Sequence, residues 1–440
     1  LIYLTGCSFD NKTGIWEDAV DLKKIKEREA KKSNLKDVFL ENKPFEEEKD
    51  INFKNKIKID KPLKNKSWTD KYFSLTNNIP NIDYESNNLL VSKSRKLSKS
   101  NKNSDILYYE NNIISYDNKG SVYIYSLIQK KKIFEYNFYK KKFKKYKKEA
   151  NIAISNGNIY VSDNLGYIYS INITSQKLVW AKNLGIPFRS NIKVLNDKIF
   201  LADQDNRIYC LRSSSGEKIW EFATSLTNLK SDFKNNIALD EINNNVFFLN
   251  TSGELYSINY LTQRINWFFN LNTKGSSSDS SLFSGSPLVI KGKSILASNS
   301  NLLFNYDSLT GSPIWKKNIP TDIGGVITNN NVFLFTKNNL LICLDYNTGE
   351  VIWSKNVFKQ IKNLNKKKYS KKIEKISNLI IAGDKILLFS PNGYIVSFNY
   401  KNGKIDFVKR FLKSGLGSKP IFSNGYMYLL DRNNKLFQYK

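Results

Sequence analysis

The sequence of 440 residues has no histidine and only three cysteines, and after its first few residues it has no apolar stretch long enough to cross a bilayer. Without histidine or a close cysteine cluster, no set of ligands for zinc is present. Cys210 and Cys343 fall at the same position of two non-adjacent repeat units, so they are poor disulfide partners. We therefore expect neither a metal site nor a disulfide.

Acidic residues are scarce relative to basic ones, since 69 Lys and Arg face 40 Asp and Glu and leave a formal net charge of +29. Such an excess is typical either of a chain encoded by A/T-rich codons or of a surface for nucleic acid or anionic membranes. Two basic stretches, residues 140–148 and 362–372, contain aromatic residues and could hold phosphate groups or form solvated loops. We favour the compositional interpretation and expect no nucleic-acid partner.

What the sequence does contain is a repeat, and residues 343–353 show it best. An apolar run that ends at Leu344 is followed by a turn cluster from Asp345 to Gly349, and then polar and apolar residues alternate up to Trp353. This pattern predicts a β-hairpin whose Gly adopts a positive φ. In seven copies a turn residue, Gly or Asn, stands fourteen positions before a closing aromatic residue. The closing aromatics of these copies are Phe134, Trp180, Trp220, Trp267, Trp315, Trp353 and Phe407.

The spacing of the closing aromatics, between 38 and 54 residues, is typical of β-propeller blades. An eighth unit opens at Asn434 but the chain stops before its closing strand, while Trp68 stands unpaired upstream of the first unit. We therefore predict an all-β fold: an eight-bladed propeller of four-stranded antiparallel blades, in which an N-terminal strand carrying Trp68 closes the ring. The alternative is that Trp68 belongs to a linker and the last blade is incomplete.

The first residues are typical of a processed lipoprotein. Leu4-Thr5-Gly6-Cys7 resembles a bacterial lipobox, which predicts that residues 1–6 are the remnant of a signal peptide and that Cys7 is lipidated. The alternative is a truncated buried strand with a free cysteine. Residues 7–63 contain too few apolar residues for a core, so we interpret them as a disordered, charged tether. The propeller is then expected to occupy residues 64–440.

The repeat around Trp353 resembles that of pyrroloquinoline-quinone-type propellers, since Cys343, Asp345, Thr348, Gly349 and Trp353 fall on its pattern, with Cys in place of the usual Ala. Together with the lipobox, the tether and eight closing aromatics, the chain from Trp68 onward resembles the BamB family of outer-membrane barrel-assembly lipoproteins. The resemblance implies a non-enzymatic scaffold on the periplasmic face of the bacterial outer membrane. It also implies a lipid-anchored monomer that binds the periplasmic domains of the central barrel-insertion subunit.

The same resemblance implies two contact loops. In the family, the loop after the third blade presents apolar residues followed by a basic one, and this position is occupied here by residues 226–230, with Leu226, Leu229 and Lys230. The next inter-blade loop carries acidic contacts in the family, and only Asp279 stands there in this chain. The alternative for Leu226 and Leu229 is that they pack beneath their own loop.

Two other functions share this predicted fold. A quinoprotein dehydrogenase would resemble its family in a vicinal cysteine pair, calcium-binding carboxylates and an Asp base, whereas this chain has no adjacent cysteines and its acidic residues mostly occupy turns. We therefore expect no enzyme and no cofactor. A propeller that binds glycan or an anionic lipid surface is the second alternative.

Overall fold

The computed structural model describes residues 7–9, 16–18, 43–51, 57–98, 105–143, 145–226, 231–272, 282–364 and 371–440. The chain forms two compact units, residues 1–45 and 46–440. Within the first unit, strands β1 (Cys7–Phe9) and β2 (Trp16–Asp18) form an antiparallel pair with Cys7 opposite Asp18. All other described strands lie in the second unit.

The second unit contains eight four-stranded antiparallel sheets, which confirms the predicted eight-bladed propeller. We number the blades 1 to 8 in the order of their innermost strands. Strand β3 (Leu90–Lys96) precedes them all. Blade 1 consists of β4 (Leu107–Tyr109), β5 (Asn112–Tyr116), β6 (Ser121–Ser126) and β7 (Lys131–Asn137), and blade 2 of β8 (Ala150–Ser155), β9 (Asn158–Asp163), β10 (Tyr167–Asn172) and β11 (Leu178–Asn183). Blade 3 consists of β12 (Lys193–Leu195), β13 (Lys198–Ala202), β14 (Arg207–Arg212) and β15 (Lys218–Ala223), and blade 4 of β16 (Asn236–Asp240), β17 (Asn245–Leu249), β18 (Glu254–Asn259) and β19 (Arg264–Asn270).

Blades 5 to 8 follow in the same way, with one exception in blade 8. Blade 5 consists of β20 (Val289–Lys291), β21 (Ser294–Ser298), β22 (Leu303–Asp307) and β23 (Pro313–Lys317), and blade 6 of β24 (Val326–Thr328), β25 (Asn331–Phe335), β26 (Leu340–Asp345) and β27 (Val351–Asn356). Blade 7 consists of β28 (Asn378–Ala382), β29 (Lys385–Phe389), β30 (Tyr394–Asn399) and β31 (Ile405–Arg410). Blade 8 consists of β32 (Ile421–Ser423), β33 (Tyr426–Leu430) and β34 (Lys435–Tyr439), and β3 is its fourth strand. Helix α1 (Val357–Asn363) follows blade 6, and a short 3-10 helix (Lys141–Phe143) follows blade 1.

The burial of each strand follows its place in the blade. The second and third strands lie between two others and between neighbouring blades, so β6 and β17 are buried along their whole length. The fourth strand forms the outer edge, and in β15 buried Trp220 alternates with exposed Lys218 and Glu221. The alternation seen in the sequence therefore marks the outer strands, and the continuous apolar runs mark the inner ones.

The closing tryptophans explain why the repeat has Gly and Trp at fixed positions. The indole Nε1 of Trp353 in blade 6 donates to the carbonyl of Tyr400 in the last turn of blade 7. A Cβ on Gly403 of that turn, which has φ +65°, would lie 2.6 Å from the Trp353 ring. Gly is therefore required both by its positive φ and by contact with the preceding blade. The corresponding indole-to-carbonyl pairs are Trp180 with Ser213, Trp220 with Tyr260, Trp267 with Ser308, and Trp315 with Tyr346.

The strand that closes the ring is not the one predicted. Strand β3 pairs with β34, with Leu90 opposite Tyr439 and Lys93 opposite Phe437, so an N-terminal strand does complete blade 8. The prediction that Trp68 lies in this strand is wrong. Trp68 is buried against the innermost strand of blade 1, where it exchanges both backbone hydrogen bonds with Tyr108. Counting closing aromatics misled because blade 8 uses no tryptophan in its outer strand.

The predicted boundary at residue 64 also differs from the structure. Lys49 pairs with Ser354 on the outer edge of blade 6, and Glu48 bonds the backbone N–H of Asn356 and the ammonium group of Lys359. Ile57 is buried in the core cluster of blades 6 and 7. The described residues from 46 onward therefore belong to the propeller unit. Charged side chains hold them there, which is why their low apolar content resembled that of a tether.

Candidate functional site

Residues 63–84, which we call the central loop, fill the position that a propeller's axial channel would occupy. The two ends of this loop meet, because Leu63 donates its N–H to the carbonyl of Asn81 and accepts from Asp83. Between these ends the chain makes one circuit of the ring. Hydrogen bonds join it to the innermost strands of all eight blades. From blade 8 through blade 7 they connect Asn65 with Phe422, Trp68 with Tyr108, Thr69 with Ile154, Asp70 with Lys193, Leu75 with Leu239, Thr76 with Ile290, Asn78 with Ile327, and Ile82 with Ile381.

Asparagine side chains of the central loop form hydrogen bonds with the backbone of particular innermost strands. The Asn78 amide donates to the carbonyl of Ile327 and accepts from the N–H of the same residue, and Asn77 donates to the carbonyl of Ile237. A side-chain amide carries both a donor and an acceptor, so it can continue the ladder of a strand that has no further backbone partner. The inner edges of these blades, which lack a neighbouring strand, are thereby satisfied.

The central loop forms one wall of a cavity of about 640 Å³. Lys71 and Tyr72 of the loop line the cavity together with Lys419 from the start of blade 8, and a smaller adjoining cavity of about 200 Å³ shares these three residues. The rest of the lining combines apolar residues, including Phe283 and Pro287, with polar ones such as Asn236. Sequence reasoning did not select any of these residues as a site.

Two ion pairs support this wall, one of them buried and the other partly exposed. The Lys193 ammonium group is fully buried and lies 2.8 Å from an Asp70 carboxylate oxygen, while that of Lys71 lies 3.4 Å from Asp105. Burial disfavours the Lys71 charge, but the attraction of Asp105 outweighs burial and raises the pKa of Lys71. Burial lowers the pKa of Lys193, and Asp70 opposes that effect.

Lys419 differs from these two lysines. Its ammonium group lies 4.1 Å from the centroid of the Tyr72 ring, a cation–π distance, and those of Lys71 and Lys193 lie 5.9 Å from the same ring. Burial, together with repulsion from Lys71, lowers the pKa of Lys419 to about 8. Three ammonium groups thus surround the Tyr72 ring, and two carboxylates are paired with two of them. Lys71 and Lys419 line the cavity, whereas Lys193 is fully buried and does not line it.

Leu226, the described residue of the predicted contact loop, follows strand β15 and lies at the other end of the strands from the turns that carry the Gly–Trp contacts. Leu226 is 77% exposed at the end of blade 3, so it does not pack beneath its own loop. Leu229, Lys230 and Asp279 lie outside the described residues, as do residues 227–230 and 273–281 in general. Cys7 lies in strand β1.

The described residues do not reproduce a quinoprotein site. Cys210 and Cys343 are buried in the third strands of blades 3 and 6, where burial raises the pKa of the Cys210 thiol to about 12 and also raises the pKa of the Cys343 thiol. Among the described residues, no three His, Cys, Asp or Glu side chains are grouped as metal ligands. In the same part of the chain, no helix is both long and apolar enough to span a bilayer.

Residues 118–355, more than half of the chain, match the family described as outer membrane protein assembly factor BamB. The chain belongs to this family. Among solved structures, BamB from Moraxella catarrhalis superposes with a TM-score of 0.65 at 15% identity, over 80% of this chain and 99% of that one. A quinohemoprotein alcohol dehydrogenase from Pseudomonas putida HK5 gives 0.62 at 10% identity, over 85% and 80%. The designed protein Ika8 gives 0.60 at 9%, over 80% and 99%. No curated protein sequence matches.

These likenesses to solved structures are all below 25% identity, so they establish the propeller fold alone, and the BamB assignment depends on the family match. That match runs from the last two strands of blade 1 to the end of blade 6 and excludes the central loop. The three lysines around Tyr72 are not confined to the matched region. Lys71 precedes that region, Lys193 lies within it, and Lys419 follows it. The signal that could have found them is a lysine beside apolar residues, as in Ile192-Lys193-Val194.

Proposed function

We propose that this protein is a non-enzymatic scaffold of outer-membrane β-barrel assembly, which binds the periplasmic domains of the central insertion subunit. Membership of the BamB family is the observation that carries the proposal. The proposed location is the periplasmic face of a bacterial outer membrane, with a lipid on Cys7 as the anchor and the protein as a monomer within the complex. The propeller supplies a rigid frame, and loops on such frames are the usual place for binding residues.

The proposed contact surface is the end of the ring that carries Leu226. An aliphatic side chain that is 77% exposed at the edge of a rigid blade is suited to enter an apolar pocket of a partner. Leu229 and Lys230 would extend this surface along the same loop, and Asp279 would add an acidic contact from the next loop. Ile242 offers a matched control, because it is 89% exposed in the first turn of blade 4, at the opposite end of the ring.

Affinity capture from detergent-solubilised membranes tests the proposal. The full-length chain is expected to recover the barrel-insertion subunit, and Leu226→Ser is expected to weaken that capture while Ile242→Ser leaves it unchanged. Both variants should keep the melting temperature of the parent, because exposed substitutions away from special features usually change stability by no more than about 0.5 kcal/mol. Equal capture by the two variants would remove Leu226 from the contact, and capture of glycan alone would overturn the scaffold function.

The proposed anchor is tested separately. A Cys7→Ser variant, produced with its complete signal sequence, is expected to move from the membrane fraction to the periplasmic fraction, because durable attachment requires the acyl chains. If the variant still sediments with membranes after a salt wash, Cys7 is not the anchor.

A basic surface cavity favours a second candidate function, binding to an anionic lipid surface. The cavity holds about 430 Å³ between blades 7 and 8, at the same end of the ring as Leu226. Arg410 lies over the Tyr394 ring at 5.5 Å and donates to the Lys413 carbonyl, so its guanidinium is held in place. Five basic residues and one acidic residue line this cavity, namely Lys371, Lys372, Arg410, Lys413, Arg432 and Glu374.

Sedimentation with vesicles tests this candidate. Phosphatidylglycerol vesicles are expected to bind the protein more than phosphatidylcholine vesicles do, and the double change Arg410→Gln with Arg432→Gln is expected to abolish the difference. The double change Lys401→Gln with Lys404→Gln removes the same charge from an exposed turn at the opposite end of blade 7 and should have no effect. If both double variants lose vesicle binding equally, the binding depends on the net charge of the protein and not on this cavity.

A further inference from the structure

The cavity beside the central loop is lined by a charged set of residues, an apolar set and several other polar side chains, and we call the first two sets its charged wall and its apolar wall. Lys71, Tyr72 and Lys419 lie on the first wall. Phe233, Leu282, Phe283 and Pro287 lie on the second, and Phe283 is almost completely buried. A volume of about 640 Å³ is within the usual range for pockets that bind small molecules. Neither the BamB family match nor the proposed scaffold function uses this cavity.

The charges on the first wall do not cancel. Asp70 and Asp105 are engaged by Lys193 and Lys71, and the backbone N–H of Lys419 also donates to Asp105. No carboxylate among the described residues lies within ion-pair distance of the Lys419 ammonium group. Around Tyr72, three ammonium groups and two carboxylates therefore leave one net positive charge, and Lys419 presents it on this wall.

The other ionisable groups of the cavity do not compensate Lys419. Asp322 lines the cavity but pairs with Lys337 at 3.0 Å, and Lys234 pairs with Glu149 at 3.4 Å. Asp232 is exposed, so its charge is screened by solvent. The Tyr72 hydroxyl is a neutral group, because burial raises its pKa.

We propose that this cavity binds a single carboxylate carried by an apolar body, with the Lys419 ammonium group as its counter-ion. One uncompensated positive charge in a poorly solvated wall favours a monoanion, because a second negative charge would be buried without a partner. The apolar wall then covers the remainder of the ligand. Two sources share this chemistry, a free carboxylic acid and the carboxylate at the end of a peptide chain.

Proton uptake gives the proposal a second signature. The pKa of Lys419 lies near 8 in the empty cavity because of burial and Lys71. A bound carboxylate stabilises the charged ammonium group and raises this pKa, so binding above about pH 8 must take up a proton. Affinity is therefore expected to fall as the pH rises through about 8.

Titration calorimetry with the full-length chain provides the test, with phenylacetate as the ligand and phenylacetamide as its uncharged match. We expect phenylacetate to bind and phenylacetamide not to bind. Phenylacetate should bind more tightly at pH about 7 than at pH about 9. Lys419→Met is expected to weaken binding at least about tenfold, as for loss of a charged hydrogen-bond partner. Lys419→Arg should retain binding, and Lys404→Met, an exposed change that lies outside the lining of the cavity, should not affect it.

Each outcome decides the proposal. Equal binding of acid and amide, equal binding by Lys419→Met, or no binding of phenylacetate at millimolar concentration would each overturn it. Tighter binding of inorganic phosphate than of phenylacetate would also overturn the carboxylate assignment. The acid–amide comparison needs only the parent protein, so it remains valid if a variant does not fold. Peptides that end in phenylalanine, with a free or an amidated carboxyl terminus, then distinguish the two sources.

Discussion

Two arcs of the same ring are held together in different ways. From blade 2 to blade 7, every junction has a tryptophan whose indole donates to a carbonyl in the next blade. Across the seam, from blade 7 through blades 8 and 1 to blade 2, Phe407 and Phe134 occupy that position and no indole bond is available. The seam is instead joined by β3 and by the central loop. Local repeats therefore stabilise one arc, and a distant segment of the chain stabilises the other.

The missing bond at the blade 7 junction has a physical cause. The carbonyl that accepts from each indole lies in the turn between the third and fourth strands of the next blade. Blade 8 has no such turn, because β34 is its third strand and the fourth strand, β3, comes from the N-terminal part of the chain. The largest buried cluster lies at this seam, and it includes Trp68, Ile82 and Tyr84 of the central loop.

The largest expected effect follows removal of the central loop. Deletion of residues 1–62 leaves the loop and β3 in place, whereas deletion of residues 1–88 leaves β3 but removes buried Trp68, Ile82 and Tyr84. Loss of a single large buried side chain typically costs about 3–5 kcal/mol. We expect the longer deletion to abolish cooperative unfolding in urea, or to lower the midpoint far below that of the shorter one. Equal midpoints would show that the seam does not depend on the loop.

The next effect concerns the repeat arc. Gly403→Ala places a Cβ 2.6 Å from the Trp353 ring at φ +65°. Gly157→Ala is a matched control, since Gly157 has φ +70° but no atom within 4 Å of the added Cβ. Both variants carry the backbone strain, and only the first adds overpacking, typically about 1–3 kcal/mol. The difference between their free energies of unfolding isolates the Gly–Trp contact, and no difference would contradict it.

A smaller effect is expected from the indole bond itself. Trp353→Phe keeps an aromatic ring but removes the donor to the Tyr400 carbonyl, so we expect a loss of about 0.5–1.5 kcal/mol from the bond, with a further loss from the reduced volume. The reciprocal change Phe407→Trp adds an indole where blade 8 offers no turn carbonyl and should not stabilise the protein. A gain in stability from Phe407→Trp would contradict the account of the seam.

The last effect is confined to alkaline conditions and is a change of stability with pH at the central cavity. The pKa of Lys419 is about 8 in the folded state and near 10.4 in the unfolded state, so between these values the unfolded chain binds more protons. This group therefore makes the folded state more stable as the pH rises from about 8 towards 10.4. Lys419→Met removes that contribution. The variant is therefore expected to be more stable than the parent at pH about 8, and this difference in the free energy of unfolding should shrink as the pH rises towards 10.4. Lys413→Met is the exposed control, and its difference in stability from the parent should not change with pH. If the difference for Lys419→Met is also constant with pH, the pKa assigned to Lys419 is contradicted.

The sequence allowed prediction of the repeat arc because each blade repeats the same contacts. The spacing of fourteen residues placed seven closing aromatics in fourth strands, from Phe134 to Phe407. The seam could not be predicted in this way, since Trp68 and β3 each occur once. Trp68 pairs with Tyr108 outside the repeat pattern, and the partner of β3 is β34, hundreds of residues away. The charged cavity was missed for the same reason: Lys71, Lys193 and Lys419 become neighbours only when the central loop completes its circuit of the ring.

Hydrogen exchange tests most directly whether the central loop is part of the folded ring. The backbone amides of Trp68, Ile82 and Asp83 donate to Tyr108, Ile381 and Leu63, respectively. Amides in a cooperative core exchange only through global unfolding. We therefore predict that these three amides exchange as slowly as those of buried β17 and at rates that follow the global stability in urea. Exchange at the rate of exposed turns, with β17 still protected, would contradict the account.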